Sequence, residues 1–277
     1  MPNNCNIAEK CTLNLKRRFV RDALFHKDYT AFTNNLISSG YAERVPTTDL
    51  SHSDRKVWYI PHGVSHLKKG KIRVVFDCAA SFQGTSLNAQ LLSGPDLPRT
   101  LIGVLTRFRK EPVVLMSDIE AMIHQVQVPE EDVDLLRFLW LPSGDFTQCL
   151  EEYRMIVRLF GATSSPSCAN FAVRRCTEDN KDFFSQQVFE TIMYNFYVDD
   201  CLASVASEQE AISLYKDIKT IYAKGGLNLT KWISNSRSVL ASIPDEERAK
   251  EVKDLDLDSL PAERALGVYW CVQSDTF

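Results

Sequence analysis

The sequence predicts an α+β fold, an antiparallel sheet backed by helices, and three observations carry that expectation. Pro112-Val113-Val114-Leu115-Met116-Ser117-Asp118 is a short, almost continuous apolar run ending in a carboxylate, as a strand covered on both faces reads. Residues 194–205 give an aromatic and β-branched run, two adjacent aspartates and a second apolar run, which is a hairpin pattern. Helical segments alternate with these strands. The clearest follows Ser207-Glu208-Gln209-Glu210, a capping-box pattern, and stops at Gly225-Gly226.

Taken in order, residues 13–40 carry Leu15, Phe19, Leu24, Phe32 and Leu36 at mostly helical spacing among five basic residues, predicting a basic helix or helix pair. A polar loop at 46–56 follows, then strands at 57–62 and 71–77 joined by the basic connection Leu67-Lys68-Lys69-Gly70. Residues 98–110 read as a helix with Leu101, Val104, Leu105 and Phe108 inward. After the 112–118 strand come a helical turn at 119–124 and a strand at 125–128. Two further strands, 134–141 and 149–159, flank the turn residues Pro142-Ser143-Gly144-Asp145. Helices are expected at 164–177 and 181–193, and along 211–222, where Ala211, Leu214, Tyr215, Ile218, Ile221 and Tyr222 make an apolar face. Strands starting at Leu227 and spanning 265–270 complete the chain.

The composition is that of a globular chain: 277 residues, 44% hydrophobic and 25% charged, enough to bury a sizeable core. No apolar run approaches a membrane span, and Met1-Pro2-Asn3-Asn4 lacks the charged-then-apolar pattern of a signal peptide, so no membrane partner is expected. The eight cysteines contain no CxxC, which favours free thiols in a reducing compartment. His62 and His66 are spaced as HxxxH without an evident third ligand. Net charge is −4, yet residues 1–110 hold 17 Lys and Arg against 8 Asp and Glu, while the remainder holds 15 against 28. A basic first part joined to an acidic second part suits a surface that tracks phosphates beside a site that collects cations; charge scatter between domains gives the same asymmetry.

Three carboxylates stand out by context. Asp118 ends one apolar strand, and Asp199-Asp200 sit at the tip of another. Aspartates suit ordinary turns, but two like charges about 4 Å apart cost roughly 4 kcal/mol at an effective dielectric near 20, a repulsion that a cation would relieve. Antiparallel neighbours would bring the three together. Acid groups so placed hold paired magnesium ions for phosphoryl transfer, and magnesium needs few protein ligands because substrate phosphates supply the rest.

These residues belong to a set of six motifs. They are Lys71-Ile72-Arg73-Val74-Val75-Phe76-Asp77, Ser117-Asp118-Ile119-Glu120-Ala121-Met122, Phe160-Gly161-Ala162-Thr163-Ser164-Ser165-Pro166, Tyr197-Val198-Asp199-Asp200, Gly226-Leu227-Asn228-Leu229-Thr230-Lys231-Trp232 and Leu266-Gly267-Val268. In this order and from about Leu13 onward, the chain resembles reverse transcriptases of long-terminal-repeat retrotransposons, the Pao/BEL type in particular. The resemblance implies a right-hand polymerase, with an antiparallel palm, interleaved fingers and a thumb that is absent or truncated. It divides the chain into a basic helical segment (1–45), fingers (46–95), palm (96–127), fingers (128–152) and palm through the primer-grip strand (153–277). The implied reaction is RNA-directed DNA synthesis, with a dNTP joined to a primer 3′-hydroxyl at two Mg²⁺ ions, Mn²⁺ being an alternative.

Carried over by position, Asp118 and Asp199 would ligand both metals, Asp200 would set the charge and geometry of the site, and the carbonyl of Ile119 would complete one shell. Arg73 would grip the nucleotide with a neighbouring lysine, Lys71, Lys68 or Lys69, and Phe160 and Gly161 would line its pocket. Tyr197, Leu266 and Gly267 would hold the primer, and Lys231 would act as general acid to pyrophosphate. Plainer readings stand beside these: Asp118 as a helix cap, Arg73 as a solvated strand residue, Lys231 as a surface lysine along Trp232. Implied partners are primed RNA or DNA template, dNTPs and the RNase H, integrase and protease segments of a parent Pol polyprotein. The implied location is the cytoplasm, within retrotransposon particles. A chain stopping at Phe277 is expected to grip primer–template weakly and extend it poorly by itself. The alternative function is a catalytically weak or inactive remnant, or a domesticated polymerase-like domain, that at most binds nucleic acid.

This chain departs at two places from the retroviral pattern. Phe160 stands where retroviral enzymes have Gln, so it would act by packing. Ile123, five residues past Asp118, stands where Phe or Tyr usually blocks the ribose 2′-hydroxyl. The differently shaped isoleucine is expected to discriminate less well against ribonucleotides than Ile123→Phe, as single-nucleotide incorporation with matched dNTP and rNTP would measure; equal discrimination by the two would count against it.

Overall fold

Two local signals shape the first forty residues. Asp22 leaves the helical region (φ −136°, ψ 92°) and its carboxylate accepts from the Phe25 amide, ending one helix and capping the next. Of the helix or helix pair read from apolar spacing, the structure has the pair, α1 (Cys5–Arg21) and α2 (Ala23–Ser38). The computed structural model describes residues 1–50, 56–68, 71–97, 99–252, 262–266 and 268–272. Its elements continue with β1 (Ala42–Arg44), α3 (Thr47–Leu50), β2 (His62–Lys68), β3 (Lys71–Phe76), α4 (Leu87–Gln90), α5 (Leu101–Phe108), β4 (Val113–Ile119), β5 (Arg137–Trp140) and β6 (Glu151–Met155). Then come α6 (Ser165–Asp179), α7 (Gln186–Tyr194), β7 (Phe196–Tyr197), β8 (Asp200–Val205), α8 (Glu208–Lys224), β9 (Leu229–Ser234), α9 (Arg237–Ala241), β10 (Ala262–Ala265) and β11 (Val268–Cys271).

The chain divides into two units, each assembled from two stretches: residues 1–94 with 123–166, and residues 95–122 with 167–277. In the first unit, β1, β6 and β5 form an antiparallel sheet in that order, and β2 and β3 form a separate hairpin. Residues 57–60, expected as a strand, make a single parallel bridge from Tyr59 to Arg137. The Trp58 carbonyl and the Ile60 amide serve that bridge, the next acceptor, the Leu139 carbonyl, is taken by the His62 imidazole, and the regular strand starts only at His62. Similarly, residues 125–128 contribute one bridge, Gln127 to Val157, in place of a strand.

The core of this unit is aromatic: Tyr29, Trp140 and Phe138 pack around His62, and Phe19 packs on Tyr29 and Trp140. The His62 Nε2 lies 2.8 Å from the Leu139 carbonyl, which can only accept, so Nε2 carries the proton. Nδ1 then accepts from the Tyr29 hydroxyl at 2.6 Å, and burial pushes the imidazole pKa down. A buried ion network ties the sheet to its flanks. Arg137 donates to Asp134 (3.0 Å), to Glu152 (2.8 Å) and to the Asp49 carbonyl (3.0 Å). Arg154 donates to the same Asp134 oxygen (3.1 Å), to Asp49 (2.9 Å) and to Glu43 (2.8 Å).

In the second unit the sheet order is β7-β8-β4-β9 with all pairs antiparallel, which puts the apolar run of β4 at the centre. Ser207 caps α8 by accepting from the Glu210 amide, and Glu210 in turn accepts from the Ala206 amide, one residue before the cap. Val104, Phe108, Leu202, Ile233, Leu240 and Trp270 are among the buried residues of this core. The last expected strand is a tight hairpin, β10 paired with β11.

Arg137 is 2% exposed and holds Asp134, so its loss takes an ion-pair partner from a buried carboxylate. Arg137→Met is expected to lower stability by about 3–5 kcal/mol, the range for breaking a buried ion pair from one side. Equilibrium urea denaturation measures it, and a loss below about 1 kcal/mol would show the network to be dispensable.

Candidate active site

The β4–β8 register runs from Val113 opposite Val205 to Asp118 opposite Asp200, so both carboxylates leave the same end of the central strand pair. Asp199 lies in the turn that joins β7 to β8. Tyr197 pairs with Asp200 across that turn, and Val198 between them has φ +58° while Asp199 stays outside the left-handed region. One positive φ at the first central position is the mark of a II′ hairpin turn, normally a glycine site. A β-branched residue held there costs about 1–3 kcal/mol and persists only where the surroundings over-determine it. Part of that hold is visible: the Asp199 carbonyl accepts from the Ile119 amide at 2.9 Å, pinning the turn to the end of β4.

On the other side of β4 the ladder with β9 is irregular. Met116 opposes Ile233 and Asp118 opposes Thr230, so Lys231 and Trp232 together face Ser117. This is a β-bulge, and Lys231 occupies it with φ +56°, the left-handed conformation that glycine usually supplies in such bulges. Trp232 is buried, and its amide turns outward to the Glu247 carbonyl at 2.9 Å. The Lys231 ammonium lies 3.1 Å from Asp118 Oδ2, with side chains 64% and 24% exposed. Beyond the bulge, the Glu120 amide donates to the Asn228 carbonyl (2.9 Å) and the Asn228 side chain donates to Glu120 Oε2 (2.8 Å).

Burial raises the Asp118 pKa, Lys231 draws it down, and Asp199 and Glu120 push it up again; the net direction is upward. Asp200 is pushed up to about 6 by burial and then by Asp199 and Asp118, against a smaller pull from Lys231. Hard carboxylate oxygens crowded against one another suit a hard divalent cation. Among the described residues no group of three or more His, Cys, Asp or Glu side chains is placed to hold a metal ion together. The donor set fits an open site, where one or two carboxylates bind Mg²⁺ and substrate oxygens fill the remaining positions.

Other residues singled out in the sequence fall in two places. In the same unit as the carboxylates, Ile119 is buried in β4, and Tyr197 and Leu266 pack as partly buried residues against the core. Leu266 has φ +53° in the β10–β11 turn, while its neighbour Gly267 lies outside the described residues. In the other unit, Arg73, Phe160 and Gly161 line one groove of about 490 Å³ together with Ile72, Phe76 and His124. Arg73 is exposed and Phe160 is 51% exposed. Gly161 has φ +104°, and a Cβ there would stand 2.8 Å from the Phe76 carbonyl oxygen, so the position is closed to other residues without movement. Lys71 pairs with Lys68 across the β2–β3 hairpin, and Lys69 lies outside the described residues. Ile123 is 8% exposed.

One residue of that groove, His124, and one that supports it, Asn88, escaped the sequence reading. His124 packs edge-on to Phe160 at 5.4 Å. Asn88 donates to the Gly161 carbonyl (2.9 Å) and accepts from the Thr163 amide (3.0 Å), fixing the glycine loop. Neither has a local signal beyond its residue type, because both act through partners 36 or more positions away.

No protein-family model and no curated protein matches the chain. Solved structures do. A foamy viral protease–reverse transcriptase in complex with double-stranded DNA matches with a TM-score of 0.52 at 14% identity, over 70% of this chain and 28% of that one. A prototype foamy virus protease–reverse transcriptase mutant matches with a TM-score of 0.52 at 16% identity, over 72% and 23%. The chain thus has a reverse-transcriptase-like fold and spans about a quarter of the length of these two structures.

The raised Asp200 pKa has a consequence for stability. The folded chain holds this proton more tightly than the unfolded chain, whose aspartate titrates near 3.9. The penalty for ionising it is absent below about pH 4 and complete above about pH 6. In EDTA at pH 8, Asp200→Asn is expected to raise stability by about 1–2 kcal/mol, discounted for partial solvent screening. The gain should vanish at pH 4. Urea denaturation at the two pH values measures it, and a loss at pH 8 would contradict the assignment.

Proposed function

We propose that the chain is the reverse transcriptase domain of a Pao/BEL-type retrotransposon Pol polyprotein, an RNA-directed DNA polymerase. The observation that carries this reading is the placing of Asp118 opposite Asp200, with Asp199 bound through its carbonyl to the same strand end, in a chain of reverse-transcriptase-like fold. In this reading the sheet β7-β8-β4-β9 is the palm, and the β2–β3 hairpin with the β1-β6-β5 sheet belongs to the fingers.

Asp118 and Asp199 would hold two Mg²⁺ ions, or Mn²⁺, with Asp200 and the Ile119 carbonyl supporting them. When bound, the metals supply a lowered pKa for the primer 3′-hydroxyl and neutralise charge on the α-phosphate. The rest falls to the chain. Asp118 and Asp200, half-withdrawn from water, would anchor the cations against which the phosphate charge develops. The Arg73 guanidinium matches phosphate bidentately, helped by Lys71. Phe160 and Gly161 would bound the nucleotide by packing, and Ile123 would limit the ribose. Tyr197 with Leu266 and Gly267 would steady the primer end, and Lys231 would donate a proton to the leaving pyrophosphate.

The partners in this reading are primed RNA or DNA template, dNTPs and further Pol segments, in cytoplasmic retrotransposon particles. Among the described residues no helix is long and apolar enough to cross a membrane.

Mg²⁺-dependent dTTP incorporation on poly-rA/oligo-dT is expected, falling by about 10²–10³ or more in Asp199→Asn, as for removal of a group that stabilises transition-state charge. Incorporation by the natural chain that Asp199→Asn leaves unchanged would reject this site. No incorporation by a folded natural chain would instead favour the inactive, nucleic-acid-binding reading.

A further inference from the structure

The carboxylate cluster is already met by a cation, and the chain itself supplies it. Lys231 sits within 3.1 Å of Asp118 Oδ2. Three features set this contact apart from an incidental surface pair. Its residue is the extra one of a bulge, where two positions of β9 face one of β4, and a regular ladder would have placed the alternation differently from Thr230 onward. The backbone there is left-handed, a conformation that disfavours lysine and is tolerated mostly at sites under functional constraint. And the ammonium stands on a flexible four-carbon stem that is 64% exposed, free to leave without disturbing the buried Trp232 beside it.

We propose that Lys231 is a tethered counter-cation: without metal it neutralises Asp118, and an entering divalent cation displaces it, turning its ammonium toward the anionic oxygens of the bound substrate. The inference rests on the preceding reading only in taking Asp118 as a metal ligand. The charge balance is simple. Asp118, Asp199 and Asp200 carry up to three negative charges, which one lysine only partly offsets, so a divalent cation still gains by entering. It gains less than it would with the lysine absent, because the carboxylate it needs must first be released. The lysine therefore sets the metal affinity of the unliganded protein low and reserves tight binding for metal that arrives with substrate phosphates, which give the displaced ammonium a new partner.

The test is Mn²⁺ titration of the full chain, stripped with EDTA and free of nucleotide and nucleic acid, followed by the electron paramagnetic resonance signal of unbound Mn²⁺. Lys231→Met is expected to tighten Mn²⁺ binding about tenfold, equivalent to about 1.4 kcal/mol at 25 °C. Lys231→Arg should stay within about twofold of the natural chain, and Asp118→Asn should bind much more weakly than either. Lys231→Met binding Mn²⁺ no more tightly than the natural chain overturns the inference. Circular dichroism melts establish folding. If Lys231→Met does not fold, Lys231→Gly, which suits the left-handed backbone, is judged by the same criterion. Tightened binding in a chain that never extends a primer would reject the polymerase reading and leave this one standing.

Discussion

The pairing of β4 with β8 sets Asp118 opposite Asp200, and a slip by one residue would turn one strand's side chains to the wrong face. The apolar residues that bury this sheet fix its register, and the register in turn forces two carboxylates together at its end. Hydrophobic burial is the stronger effect: one large apolar side chain contributes about 1.5–3 kcal/mol, and Val114, Leu115, Leu202 and Val205 are all buried in these two strands. The repulsion at the tip is a smaller cost imposed by a larger gain. Both the raised Asp200 pKa and the position of Lys231 are responses to it.

Much of that sheet was legible in the sequence. The apolar run of β4 and the aspartate turn are local patterns, and alternation plus turn chemistry suffices to read them. The capped start of α8 was legible for the same reason. The bulge in β9 was not, because nothing in Thr230-Lys231-Trp232 resembles the glycine that usually marks one. Lys231 could be singled out by family resemblance but not placed. What aims it is a mismatch between two strands more than a hundred residues apart, and no window of sequence contains that. The same holds for Asn88, whose partners Gly161 and Thr163 are distant.

In the other unit, misreadings have a different origin. Residues 57–60 look like a strand by composition and do run beside β5, but the pairing stops at one bridge, where the His62 side chain takes the next carbonyl of β5. The apolar spacing of residues 13–40 allowed one helix or two, and Asp22, a favoured N-cap type, is what makes it two. The Arg137–Asp134–Arg154 network had no local signature at all. Arginines in strands usually read as solvated, whereas here two of them replace apolar core, each satisfied by several acceptors.

The division of each unit between two stretches of chain bears on how the protein is made. Residues 1–94 and 123–166 can complete their unit while synthesis continues, but β4 lies in the intervening stretch. Its partner β8 begins only at Asp200, and β9 follows at Leu229. At about 5–20 residues per second, the most apolar strand of the sheet waits roughly 4–16 s on the ribosome before its first neighbour emerges. During that interval Val113-Val114-Leu115-Met116 is an unpaired strand edge with no charge within it, the kind of segment that joins other chains. The aspartate that ends the run then has a second effect, independent of chemistry. It places a charge at the margin of the segment most exposed to aggregation, where natural sequences commonly set a gatekeeper.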